Sequence, residues 1–238
     1  MRDPYLYPDV DVLRNKLEIK DEKLLDQVES EYSRANMQIL YSEGYNAFSK
    51  NSICYIHKKL FEDVYDWAGK YRTINIFKRE ELLAGMSVWY ADSEDIDRDL
   101  REAWKRIMKV RWEALSTEEF AINVAHTFPA LWQAHPFREG NTRSVVTLMV
   151  LFIESYGYYV DKELLARSAG YVRNSFVLAS FGKNSEYEYL ERILKDAICK
   201  DPIIYNNLGE RIVSPVQKEA YDKYVSDKYV SKPHSYIE

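Results

Sequence analysis

The sequence has few cysteines: Cys54 and Cys199 are the only two in 238 residues, with no CxxC pair. This excludes a disulfide framework and a cysteine zinc site, and it suits a reducing compartment. No apolar run reaches the ~18 residues needed to cross a bilayer. The start, MRDPYLYPDV, is polar and contains prolines, unlike a secretory signal. These absences predict a cytoplasmic protein with no membrane partner. A basic surplus is also missing: 33 Lys and Arg face 38 Asp and Glu, for a net charge of −5 and a pI of about 5.6. Phosphate neutralisation needs clustered cations, so no nucleic-acid partner is expected. HExxH, GxxxxGK[ST] and GxGxxG are all absent, which removes the commonest metal and phosphate-loop readings. His126 and His135 are spaced so that one helix would put them on opposite faces, where they cannot share a metal.

What is present is an ordinary globular composition, 46% hydrophobic and 30% charged. The length allows one large domain or two small ones. Tyrosine is abundant, at 20 residues, and reads as amphipathic packing. Apolar spacing predicts helices from Asp21 to about Tyr41 and from about Ser52 to Trp67, with Gly69 as a C-terminal cap. The alternation in YRTINIFK, residues 71–78, and the run MSVWY, residues 86–90, predict a hairpin. It must lie against the helices, because two strands alone are marginal. A further helix is expected from Asp92. STEE, residues 116–119, forms a capping box for a helix that Pro129 should kink. Residues 143–157 are apolar nearly all round, as in a central buried helix. Asp161 should cap a short helix, and a longer one should run from about Asn184 to Lys200. The tail repeats DKYV at 222–225 and 227–230 and reads as helical or loose.

The chemistry concentrates in HPFREGN, residues 135–141. His135 should close one helix, Pro136 and Phe137 turn the chain, and Gly140 and Asn141 start the next. Backbone amides there should face solvent without partners and attract an anion. Arg143 adds a forked donor for phosphate. Glu139 beside an anion site suits Mg²⁺ bridging a diphosphate. His135, with a pKa expected near neutrality, suits proton abstraction from an attacking hydroxyl. Each residue alone has a plainer reading: a cap, a turn or a solvated charge. Their coincidence points to nucleotidyl or phosphoryl transfer.

Residues 135–143, HPFREGNTR, resemble the signature H-P-F-x-[D/E]-G-N-G-R of the Fic family, in the Fic/Doc superfamily. DPYLYP near the start resembles the family's N-terminal arm. IHKKLFEDVYDWAGKYRTINIFK, residues 56–78, resembles the helix and first flap strand before its active site. The resemblance implies a mainly α, Fic-type helical bundle with a small β-hairpin flap beside the active site. It implies an N-terminal arm at 1–20 and a Fic domain at 21–200, with the flap at about 71–90. A C-terminal tail, helical or flexible, would fill 201–238. It also implies AMPylation, the transfer of AMP from ATP to a Tyr, Ser or Thr hydroxyl of a target protein.

By position, the resemblance makes His135 the base and Glu139 the Mg²⁺ ligand. Arg138, Gly140, Asn141, Thr142 and Arg143 would bind the nucleotide. The flap residues Thr73, Ile74, Asn75 and Ile76 would dock the target by β-augmentation. Thr142 stands where the family commonly has glycine, and Val146 where many AMPylating members carry a second arginine. These departures leave open another nucleotide donor or a silent fold acting as a protein-binding module. The inhibitory pattern [S/T]xxxE[G/N] is missing, so restraint is expected from a separate small antitoxin-like partner, as in a toxin–antitoxin pair.

Overall fold

The computed structural model describes residues 3–201 and 215–230. Among the described residues, ten α-helices form a bundle. The Asp21 side chain accepts the Leu24 amide at 2.8 Å and starts α1, Glu22–Glu43, satisfying one of the orphan donors at the helix start. α2 spans Ser52–Phe61 and buries Ile56, His57 and Leu60. It ends short of the expected Trp67, and Gly69 is not its cap. At φ 77 Gly69 lies against α2, where a Cβ would stand 2.8 Å from Lys58 Cβ and 2.9 Å from the Cys54 carbonyl. α3 runs Ile96–Met108, a turn later than Asp92.

The reciprocal Ser116–Glu119 capping box opens α4, Thr117–Thr127. Pro129 does not kink that helix. It begins a separate one, α5, Pro129–Ala134, at a position where its missing N–H removes no intrahelical bond. α6, Asn141–Ser155, is the central helix, buried without interruption from Thr147 to Ile153. Phe152 sits among Phe48, Trp104, Trp112, Phe128 and Tyr156, with ring centroids 5.1–6.3 Å apart. Burial of each such side chain contributes about 1.5–3 kcal/mol, which outweighs the poor helix propensity of the Val145–Val146–Thr147 run.

Asp161 caps α7, Lys162–Arg167. α8, Ala169–Ala179, and α9, Glu188–Ala197, follow. The second of these is shorter than expected because the chain passes into a strand. That strand, β2, Ile198–Cys199, pairs antiparallel with β1, Tyr159–Val160. α10, Pro215–Lys228, docks on the bundle: Tyr221 donates to Asp161 at 2.9 Å, and Tyr224, Lys228 and Tyr229 converge on Asp196. The rest of the expected tail lies outside the described residues. Among the described residues no helix is long and apolar enough to cross a membrane.

The flap is a hairpin in its path but not in its bonding. Residues 72–80 alternate in exposure, with a bend at Thr73 and Ile74, yet 71–78 and 86–90 form no ladder. The cross-links are Glu80 N–H to the Met86 carbonyl at 2.9 Å and Lys78 N–H to Ser87 Oγ at 3.4 Å. A 3₁₀ turn at Glu81–Leu83, with Ala84 and Gly85 at positive φ, reverses the chain. The arms are held from outside instead. Asn75 bridges Asp92 and the Ser93 amide, and Glu80 pairs with both guanidinium nitrogens of Arg173 on α8.

Candidate active site

The short helix α5 ends where His135 takes a left-handed conformation, φ 45 and ψ 57, and its amide returns to the Trp132 carbonyl at 3.0 Å. Few non-glycine residues adopt this geometry, so neighbours must hold it. Arg72 does so. Its backbone amide donates to the Pro136 carbonyl at 2.8 Å and its Nε to the His135 carbonyl at 2.8 Å. Its other guanidinium nitrogens reach the carbonyls of Ile74, at 2.6 Å, and Ala91. One buried side chain therefore ties the corner to both roots of the flap.

Beyond His135 the loop closes on itself. The Asn141 side chain accepts the Phe137 amide at 2.9 Å and donates to the Phe137 carbonyl at 2.8 Å. Its amide group thus braces the turn and is not free for a ligand. Gly140, at φ 77, is the N-cap of α6 and offers no side-chain cap. A Cβ there would meet the Phe61 ring at 2.4 Å. The amides of the first turn of α6 have no carbonyl acceptor within their helix and carry the positive end of its dipole. These are the donors that the expected anion site would use, and Glu139 Oε1 accepts the neighbouring Gly140 amide at 2.9 Å.

His135 departs from expectation. The corner does not open to solvent: His135 and Asn141 are each 3% exposed. The Tyr90 ring lies over the imidazole, with centroids 4.1 Å apart. Both ring nitrogens are buried without a hydrogen-bond partner. Burial, with help from the charges of Lys78 and Arg72, holds the His135 pKa well below its ordinary value rather than near neutrality. A cleft of about 260 Å³ between the flap, α3 and α5, lined by Trp89, Tyr90, Asp99, Arg106 and Gln133 among others, reaches Ala134, the neighbouring residue.

The predicted nucleotide ligands are engaged with other parts of the chain. Arg143 pairs with Glu29 of α1, donates to Ser33 Oγ at 2.9 Å and lies over the Phe61 ring. Arg138 Nε donates to Asp3 of the N-terminal arm at 2.8 Å. Thr142 Oγ1 accepts the Trp132 indole N–H at 2.8 Å, which turns its branched side chain toward α5. In the flap, Thr73 N–H donates to the Tyr5 hydroxyl at 3.1 Å and Ile74 is held by Arg72. Among the described residues no group of three His, Cys, Asp or Glu could hold a metal. A lone carboxylate such as Glu139 does fit Mg²⁺ arriving with nucleotide phosphates, since Mg²⁺ takes one or two protein carboxylates and keeps phosphate and water for the rest.

Sequence reasoning missed His57, Arg72 and Glu29. His57 lies on the apolar stripe of α2, and burial pushes its pKa down to about 3. A histidine between Ile56 and Leu60, and an arginine soon after Gly69, were the signals available.

Together these features define a helical bundle with a buried histidine corner before its central helix, beside a hairpin-like flap. Residues 47–153 match the model of the Fic/DOC family, and this stretch of the chain is a Fic/DOC domain. It is 31% identical to protein adenylyltransferase VbhT of Bartonella schoenbuchensis over 69% of this chain and 34% of the relative. It is 29% identical to the probable protein adenylyltransferase y4lH of Sinorhizobium fredii over 69% of this chain and 82% of the relative. The chain thus spans about a third of the first relative and most of the second. A solved N-terminal Fic domain of a VirB-translocated Bep effector from Bartonella quintana, with bound ADP, superposes at a TM-score of 0.66 and 25% identity, covering 82% of this chain and 94% of that one.

Proposed function

We propose that the corner between α5 and α6 transfers AMP from ATP to a hydroxyl of a protein segment lying along the flap. The observation that carries this reading is the His135 imidazole: buried, free of protein hydrogen bonds at both nitrogens, and next to the uncapped start of α6. Names of relatives as adenylyltransferases support the same reaction. The target hydroxyl oxygen bonds to the α-phosphorus, the bond to the bridging α–β oxygen breaks, and pyrophosphate leaves. The hydroxyl proton passes to an imidazole nitrogen of His135, which burial keeps neutral. The first-turn amides of α6 stabilise the charge on the α-phosphate. Glu139 would hold Mg²⁺, which supplies charge neutralisation on the diphosphate when bound. Nucleotide binding exchanges the Arg143–Glu29, Arg138–Asp3 and Glu139–Gly140 contacts for phosphate contacts, and of the flap arm at 73–76 Asn75 and Ile76 offer their backbone to the target, since Thr73 and Ile74 are held by Tyr5 and Arg72.

The test is transfer from ATP labelled on the α- or the γ-phosphate, with Mg²⁺, to proteins of a bacterial lysate. α-Label transferred by the parent and not by His135→Ala is the expected result. γ-Label transfer would make the reaction phosphorylation. The occupied Arg143 favours a second reading, a silent fold that binds proteins without chemistry, and no label from either nucleotide would support it. A small inhibitory partner is the remaining part of the proposal, and its co-purification with the full chain checks it.

A further inference from the structure

His57 is fully buried on α2, far in sequence from the corner, and takes no part in the transfer as drawn. Its two hydrogen bonds define its chemical state. The Gly69 amide donates to Nδ1 at 2.8 Å, so Nδ1 presents a lone pair. The proton of the neutral ring is then on Nε2, which lies 3.0 Å from the Glu139 carbonyl. Nε2–H is the donor in that bond. The same ring stacks on Phe137, with centroids 3.7 Å apart, and lies 4.7 Å from the Phe61 ring that confines Gly140. Phe137, two residues before Glu139, packs on this ring, Gly140 just after it is confined by Phe61, and the Glu139 carbonyl is held by a donor that cannot switch tautomer while Gly69 occupies Nδ1.

We propose that His57 is a positioning residue that sets the direction of the Glu139 carboxylate and so the binding of Mg²⁺-nucleotide. This rests on the nucleotide reading above. Gly69 serves the device by approaching α2 closely enough to orient the ring, which its lack of a Cβ permits.

Two variants separate positioning from packing. His57→Gln keeps an amide donor at the place of Nε2 and loses the acceptor for Gly69. His57→Asn keeps an acceptor at the place of Nδ1 and loses the donor to Glu139. Titration calorimetry with MgADP, with ADP alone, and urea unfolding are measured for both. The expected result is MgADP affinity within about 3-fold of the parent for His57→Gln and a loss of about 10-fold or more for His57→Asn, with ADP alone unchanged. Equal losses in the two variants, or losses that follow unfolding free energy, overturn the proposal. Long-range ¹H–¹⁵N spectra of the parent should show the Nε2–H tautomer of His57, and an Nδ1–H signal also overturns it. A parent that binds no MgADP sinks this proposal and the nucleotide reading together. A parent that binds MgADP without transferring AMP sinks the transfer alone, and calorimetry still decides the part played by His57.

Discussion

Residues 135–143 and residues 71–90 pack against each other through Arg72, but their backbones are treated differently. In the corner, the carbonyls of His135, Pro136, Phe137 and Glu139 all accept bonds from outside the helix pattern. In the flap the arms share few bonds, and Phe77, Met86 and Trp89 are 70%, 53% and 86% exposed. In the proposed transfer, a group that meets a phosphorus atom would gain from fixed geometry, and a strip that accepts a partner's backbone would gain from unspent hydrogen bonds. The chain places its rigidity on the first and its reserve on the second.

The largest effect is expected from paired glycine substitutions. Gly140→Ala combines a left-handed φ with a collision against Phe61 and should cost about 3 kcal/mol or more in urea unfolding. Gly85→Ala, at φ 83 in the flap with open space around it, should cost about 1 kcal/mol. Equal costs would break the contrast. Next comes Arg72→Lys, which keeps the charge but cannot serve three carbonyls at once. A loss of about 2–3 kcal/mol is expected, with faster amide exchange in both segments.

Acidification sharpens the corner's side. His57 and His135 both have pKa values below their usual 6.5. Below about pH 6.5 the unfolded chain therefore binds protons that the folded chain refuses, and stability falls as pH drops. Each histidine adds about 1.4 kcal/mol per pH unit until its folded pKa is reached. Between pH 7 and 5, His57→Gln should lose about 2 kcal/mol less than the parent. The smallest effect is expected from Glu80→Gln, which weakens the tie to Arg173. Glutamine keeps the packing and one acceptor for Arg173, so stability should change by only about 1 kcal/mol, while exchange at 71–90 rises and that at 135–143 does not.

What the sequence revealed follows from distance along the chain. The helix start at Asp21, the Asp161 cap, the Ser116–Glu119 box, the buried α6 and the turn at Gly140 are written in neighbouring residues, and all were readable. The flap's bonding was not, because alternation in 71–78 reports exposure and not the partner: its ties run to Arg72, Asp92 and Arg173. The engagement of Arg143 by Glu29 spans 114 positions and that of Glu139 by His57 spans 82. No local pattern encodes either. The depressed pKa of His135 escaped for the same reason, since the Tyr90 ring that covers it comes from another segment.

Trp132 and Thr142 are best regarded as one coupled pair. An indole nitrogen can only give a hydrogen, so the threonine oxygen must receive it, and the hydroxyl's own hydrogen is left to point elsewhere. Restoring glycine at 142 alone would strand the indole in the interior, whereas exchanging Trp132 for phenylalanine at the same time would not. Any path of sequence change that reshapes this end of α6 has to move through both positions together.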